Sequence, residues 1–182
     1  MIIRQKRWAL LLLLAALLIV AGCAGEKSDP ADAATITIEG DGVESAVQLT
    51  LGDLKAMEDA LVEDDYFSIN TYGTEAYYHF KGVWAWAVLE QKASLKEGAK
   101  EVSFVAEDGY TVTYTLEEVQ RDDYIDQQDP QKKYKMILAW EEEHEPYDLD
   151  EGSPIRLVNG QTEPGDVNKP RWVSRIEKIV VE

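Results

Sequence analysis

The chain contains a single cysteine, Cys23, and its position restricts both the chemistry and the possible cross-links of the fold. It follows an apolar stretch at residues 8–20, which three basic residues precede, and Ala21 and Gly22 stand directly before it. A secretory signal typically has a basic start, a short apolar run and small residues before its cleavage site. A cysteine directly after the cleavage site predicts a lipoprotein. Residues 1–22 are then the signal peptide that is removed, and Cys23 carries the lipid. The folded part should then contain neither a disulfide nor a free thiolate.

The alternative for residues 8–20 is a helix that stays in the membrane. These thirteen apolar residues are too few, because a helix needs about 20 to cross a bilayer. We therefore expect a protein in the cell envelope, held on the extracytoplasmic side of the membrane through the lipid on Cys23. The several acyl chains of a mature lipoprotein hold firmly, whereas one chain would hold weakly.

The remainder of the chain predicts a short tether and one acidic domain. Residues 23–34 are small, polar and interrupted by proline, so they form a lipidated flexible tether with a reach of roughly 20 Å. Residues 35–182 are long enough for a single domain with its own core. Without the signal, 15 basic side chains face 35 acidic ones, a net charge of −20 that repels nucleic acid and anionic headgroups. We favour solubility as the reason for this charge over a docking surface for a basic partner.

Residue periodicity predicts strands and helices in mixed order. The clearest signal is a hairpin at Val102–Thr115, with a turn at Asp108–Gly109, and helical spacing predicts a helix from Val83 to about Ala93. Capping-box spacing marks two further helix starts, at Thr50 with Asp53 and at Thr115 with Glu118. The other strand candidates are Thr35–Ile38, Leu49–Leu51, Lys135–Trp140, Ile155–Val158 and Val173–Val181. This order predicts an α+β fold with a mixed sheet and much loop.

Several short strings follow one another in a recognisable order. They are Phe80–Val83, Val88–Glu90, Glu107–Tyr110, Thr115–Glu118, Gly152–Val158 and Arg171–Ile176. In this order, over roughly residues 49–182, the chain resembles the sulfite-oxidase-type molybdopterin-binding domain. The resemblance implies a loop-rich, mixed-sheet α+β fold. It also implies a cysteine that ligates molybdenum from the segment before the predicted helix, and basic residues near the C-terminal strings that hold the pterin phosphate.

The chain departs from the family pattern at the metal-ligand segment. Residues 66–74 contain no cysteine, and Asn70 or a near neighbour stands where the ligand is expected. An amide or hydroxyl oxygen is a poor substitute for a soft thiolate on a transition metal. The departure puts the enzyme activity in doubt rather than the fold. An ordinary strand and turn is the favoured interpretation of the segment; the alternative is a polar wall of a binding cleft, formed by Asn70, Thr71 and Tyr72.

Two arginines are carried over by the same resemblance. Arg156 belongs to the matching string, and Arg171 replaces a lysine that usually precedes the tryptophan. A guanidinium binds phosphate or carboxylate through two parallel hydrogen bonds, so the pair could form the cationic wall of a cleft for a small anion. The alternative is that both arginines are structural ion-pair partners in an acidic chain.

No motif predicts a metal site. His79 and His144 are the only histidines, and no second ligand stands near either at the spacing of a zinc motif.

Two function classes remain. The favoured one is a non-catalytic ligand-binding or accessory module without a cofactor, whose partner is a small anion or an envelope redox or transport protein. The alternative is an oxidoreductase that holds molybdopterin without a cysteine ligand.

Overall fold

The computed structural model describes residues 30–182 as sheets joined by short helices. The predicted signal peptide, Cys23 and most of the tether lie outside these residues. The strands are β1 (Thr35–Glu39), β2 (Val47–Thr50), β3 (Leu61–Ile69), β4 (Glu75–Trp84), β5 (Glu101–Ala106), β6 (Thr111–Thr115), β7 (Tyr124–Ile125), β8 (Lys133–Tyr134), β9 (Ile137–Glu142), β10 (Glu145–Pro146), β11 (Arg156–Val158) and β12 (Ile176–Val181). The α-helices are α1 (Leu51–Lys55), α2 (Ala85–Lys92) and α3 (Leu116–Gln120), with 3-10 turns at Pro30–Ala33, Glu58–Ala60, Leu149–Glu151 and Lys169–Arg171.

The first sheet has the strand order β2-β1-β12-β5-β6. Its last strand in sequence, β12, runs parallel to β1 and antiparallel to β5, so it joins the start and the middle of the domain. The predicted hairpin is confirmed as β5 and β6. Its inward residues Phe104 and Tyr114 are buried and meet edge to face, with ring centroids 5.9 Å apart.

The second sheet has the order β10-β9-β4-β3, and β11 also pairs with β9. The long hairpin of β3 and β4 pairs without a break from Leu61 opposite Val83 to Ile69 opposite Glu75. The register between β4 and β9 shifts at Gly82. A Cβ on Gly82 would lie 2.3 Å from the carbonyl oxygen of Leu138, so only glycine fits where the two backbones approach.

Both predicted capping boxes are present. Thr50 accepts a hydrogen bond from the backbone N–H of Asp53, whose carboxylate accepts one in return from Thr50, and Thr115 and Glu118 do the same for α3. These reciprocal bonds satisfy backbone groups that every helix start leaves free. They fix α1 against the end of β2 and α3 against the end of β6.

The predicted helix from Val83 to about Ala93 begins too early. Val83 and Trp84 are the last residues of β4 and pair with Leu138 and Ile137 of β9, so α2 begins at Ala85. Apolar spacing could not separate the two states, because a buried strand end is as apolar as one face of a helix.

Side chains from both sheets and from α1 and α2 share one hydrophobic core, to which Ile38, Leu54, Val88, Phe104 and Leu138 contribute. The α+β, mixed-sheet, loop-rich fold predicted from the sequence is confirmed. Within residues 30–182, no helix is long and apolar enough to cross a membrane.

Candidate ligand-binding cleft

Arg156 opens β11, and its guanidinium is held by an acid and an aromatic ring. Nη1 donates a hydrogen bond to Glu142, and the guanidinium carbon lies 4.7 Å from the ring centroid of Tyr147. The Tyr147 hydroxyl donates to the same Glu142 carboxylate at 3.1 Å. Burial raises the pKa of Tyr147, so the ring stays a neutral donor. Arg156 Nε is buried and has no hydrogen-bond partner among residues 30–182.

A small cavity lies beside Arg156. It has a volume of about 130 Å³ and is lined by Tyr147, Asp148, Glu151, Ser153, Ile155, Arg156, Ser174 and Arg175. Two arginines, three residues with a hydroxyl and two acidic residues therefore line one space. Neither Arg171 nor any residue of the segment 70–72 lines it.

Arg171 lies in a separate environment. Both of its terminal nitrogens donate to Glu118 Oε1 at 3.1 Å, and its guanidinium carbon lies 4.0 Å from the ring centroid of Tyr114. Burial by itself lowers the pKa of this guanidinium, but Tyr114 and Glu118 outweigh that effect and raise it above its ordinary value. Since Glu118 also caps α3, the Arg171 side chain ties the C-terminal 3-10 turn to that helix.

The segment at 70–72 forms the tip of the hairpin between β3 and β4. Asn70 Oδ1 accepts hydrogen bonds from the backbone N–H groups of Tyr72 and Thr74, both at 2.9 Å, and Gly73 has a φ of 75°. Thr71 is exposed, and Tyr72 is 92% exposed. The asparagine therefore stabilises a turn, which is the structural role that the sequence favoured for this segment.

The strand register keeps this tip away from Arg156. Arg156 pairs with Ala139 of β9, which pairs with Gly82 of β4. Because Gly82 lies seven residues from the tip end of β4 at Glu75, the separation along the sheet is roughly 20 Å. The structure thus does not bring Asn70, Thr71, Tyr72, Arg156 and Arg171 into one two-walled cleft, and ligand binding by any of them stays a prediction.

A buried asparagine that the sequence did not single out as functional joins the two family segments. The Asn168 side chain accepts a hydrogen bond from the Ile69 N–H at 2.9 Å and donates to the Phe67 carbonyl at 3.0 Å and the Asn159 carbonyl at 3.1 Å. β3 is an edge strand, and this amide satisfies backbone groups on its open side. Asn168 is fully buried, and no spacing rule marks a polar residue inside a loop as buried.

Asn159 and Gln161 extend this buried amide cluster. Asn159 accepts hydrogen bonds from Tyr114 Oη and, at its carbonyl, from Trp172 Nε1, while Gln161 donates to Gln127 and to the Asp166 carbonyl. The polar atoms around the C-terminal motif are therefore largely occupied by protein partners.

A family model described as the oxidoreductase molybdopterin binding domain matches residues 24–181. The chain belongs to this family. No curated protein matches the chain.

Among solved structures, the fold is similar to the sulfane dehydrogenase SoxCD from Paracoccus pantotrophus, with a TM-score of 0.61 at 17% sequence identity. The match covers 84% of this chain and 39% of the SoxCD chain, so this chain spans well under half of that protein. The similarity confirms the fold that the sequence resemblance predicted.

At the metal-ligand segment the residues do not fit the family's cofactor, because residues 66–74 offer no thiolate. Of the two carried-over arginines, Arg171 gives both terminal nitrogens to Glu118, whereas Arg156 pairs with Glu142 through Nη1 alone.

Proposed function

We propose that this member of the oxidoreductase molybdopterin-binding domain family is a lipid-anchored, extracytoplasmic and non-catalytic module that binds a small anion. The Asn168 hydrogen bonds carry the proposal. They join the segment where the family has its metal ligand to the segment where it has its phosphate site. The bonds from Asn168 to this segment, and the lack of a thiolate in residues 66–74, support a fold kept without the reaction's metal ligand.

The anchor is proposed from Cys23 and the short apolar run before it. Acylation of Cys23 should appear in mass spectra of the protein extracted from membranes. A Cys23→Ser variant should leave the membrane fraction, because the lipid supplies the attachment. A Cys23→Ser variant that is cut at the same bond and stays membrane-bound would contradict the anchor.

The cavity beside Arg156 supports the small-anion part of the proposal. Within the part of the chain that the structure describes, Arg156 Nε is a buried donor without a partner, and such a group costs about 1–3 kcal/mol unless something accepts its hydrogen bond. Arg175 and Ser174 also line this space, whereas the Ser153 hydroxyl already donates to the Ile176 carbonyl at 2.6 Å. Phosphate and carboxylate groups are the acceptors that guanidinium groups bind most strongly.

Calorimetric titration tests this site with inorganic phosphate and with acetate. Saturable binding is expected for the unchanged chain and should be lost in Arg156→Gln. Arg121→Gln is the matched control, because Arg121 forms an exposed pair with Asp123 and does not line the cavity. Equal binding by both variants, or none by the unchanged chain, would reject Arg156 as an anion site.

The non-catalytic part is tested by producing the chain in two hosts, one able and one unable to make molybdopterin. We expect the same thermal unfolding midpoint and the same circular dichroism from both, since residues 66–74 offer no thiolate and residues 30–182 share one hydrophobic core of side chains. Folding only in the host that makes molybdopterin would instead favour an oxidoreductase that holds the cofactor without cysteine. Family membership is the observation that keeps this second function open.

A further inference from the structure

The two histidines of the chain, which stand 65 residues apart in sequence, lie side by side in the structure. Their ring centroids are 4.1 Å apart. Donor atoms of Glu63, His79 and His144 lie within 4.8 Å of one another. Two imidazoles and one carboxylate are the donor set that zinc and similar divalent transition ions bind in proteins.

Strand pairing places His79 between two carboxylates. Asp65 is directly opposite His79 in the register of β3 and β4, and Glu63 is two residues further along the same face. His79 Nδ1 lies 2.7 Å from Asp65 Oδ1, and His79 Nε2 lies 3.4 Å from Glu63 Oε1. If Nδ1 donates to Asp65, the Nε2 lone pair of the neutral ring faces Glu63 Oε1, which is also an acceptor. A cation between these two atoms would bind both.

These distances suit a metal ion. Zinc binds imidazole nitrogen and carboxylate oxygen at about 2.0–2.2 Å, so two ligands of a tetrahedral ion lie roughly 3.4 Å apart. The hydrogen bond from Nδ1 to a carboxylate is the arrangement that orients metal-binding histidines in proteins. Asp65 would therefore be a positioning residue for His79 rather than a ligand.

The turn between β9 and β10 brings the second histidine into place. Glu143 and His144 have φ angles of 53° and 66°, which side chains other than glycine adopt at a cost. The turn is fastened to β4 at His79: the Glu143 N–H donates to the His79 carbonyl, and the His79 N–H donates to Glu143 Oε1, both at 2.9 Å. These two hydrogen bonds of Glu143 hold the neighbouring His144 over His79.

We propose that Glu63, His79 and His144 form a binding site for one divalent transition-metal ion such as Zn²⁺. The three protein ligands leave a coordination position open to water, since Glu63 and His144 are exposed. Hard ions such as Mg²⁺ and Ca²⁺ prefer all-oxygen ligands and should bind weakly. Lys81 lies 3.6 Å from Glu63 Oε2, the carboxylate oxygen that does not face His79, so it leaves Oε1 available.

The test uses the full chain in detergent, purified without a histidine tag and stripped with a chelator. Titration with ZnCl₂ should show one ion per chain. The imidazole NMR signals, which come from two histidines only, should both shift. His144→Ala should abolish the one-to-one binding, and Asp65→Asn should weaken it about 10- to 100-fold.

Glu145→Gln is the matched control, because Glu145 is an exposed neighbour of His144 that does not belong to the donor set. It should bind Zn²⁺ like the unchanged chain. Glu63→Gln should weaken binding without altering the circular dichroism, since Glu63 is exposed. The proposal fails if Zn²⁺ does not saturate, if the imidazole signals stay unshifted, if His144→Ala binds normally, or if Mg²⁺ binds as tightly as Zn²⁺.

Discussion

Replacing Asn168 with alanine tests how strongly this amide stabilises the contact between the two family segments. The change removes three hydrogen bonds from a fully buried position. The Asn159 carbonyl keeps its bond from Trp172, so two backbone groups, the Ile69 N–H and the Phe67 carbonyl, lose the side chain that now binds them. Each buried polar group without a partner costs about 1–3 kcal/mol, which predicts a loss of about 2–6 kcal/mol in the free energy of unfolding.

Urea unfolding followed by circular dichroism measures this loss. Asn70→Ala is the matched control: it also removes two hydrogen bonds to backbone N–H groups, but at an exposed tip where water can replace them. It should cost no more than about 1 kcal/mol. An Asn168→Ala variant as stable as Asn70→Ala would show that the Asn168 hydrogen bonds do not stabilise the open side of β3. If Asn168→Ala does not fold, amide hydrogen exchange in the unchanged chain decides, because the Ile69 amide should exchange slowly and fast exchange would contradict its bond to Asn168.

Three further predictions concern the supporting structure. Gly82→Ala should lower the free energy of unfolding in urea by about 3 kcal/mol, because its Cβ would meet the Leu138 backbone. Gly52→Ala should be tolerated, because the nearest atom to its Cβ would be 3.5 Å away. Equal stability of the two variants would contradict the close approach at Gly82. Thr115→Ala should cost about 1 kcal/mol of unfolding free energy by removing the cap of α3, and a change near zero would show that the cap is dispensable. Hydrogen bonds from Thr50 lower the pKa of Asp53 below its ordinary value of 3.8, so the ionised carboxylate stabilises the fold fully above that pH and loses this effect as the pH falls through the lowered pKa. In acid unfolding, the difference in stability between the unchanged chain and Asp53→Asn should therefore shrink over this range. A difference that stays constant would contradict the lowered pKa.

Local chemistry made parts of this fold predictable. Thr50 with Asp53 and Thr115 with Glu118 carry their capping signal within four residues, and the Asp108–Gly109 turn sits between two alternating strands. Each such signal needs no knowledge of distant residues. The end of β4 was not predictable in this way, because Val83 and Trp84 become strand through pairing with β9, which lies far along the chain.

The site depended on contacts that no local pattern encodes. Arg156 and Arg171 were identified by resemblance, but their partners, Glu142 and Glu118, come from other elements and could not be chosen from among 35 acidic residues. Asn168 becomes a buried link only when its loop folds against β3. His79 and His144 carry no motif, and the register of β3, β4 and β9 brings them together.

Whether the domain binds the family's cofactor is measured by molybdenum and pterin analysis of the chain purified from a molybdopterin-producing host. We expect a content of both close to zero per chain, because the segment 66–74 lacks a thiolate and Asn168 ties it to the C-terminal motif. A content close to one molybdenum and one pterin per chain, retained through gel filtration, would instead establish a cofactor-binding oxidoreductase domain.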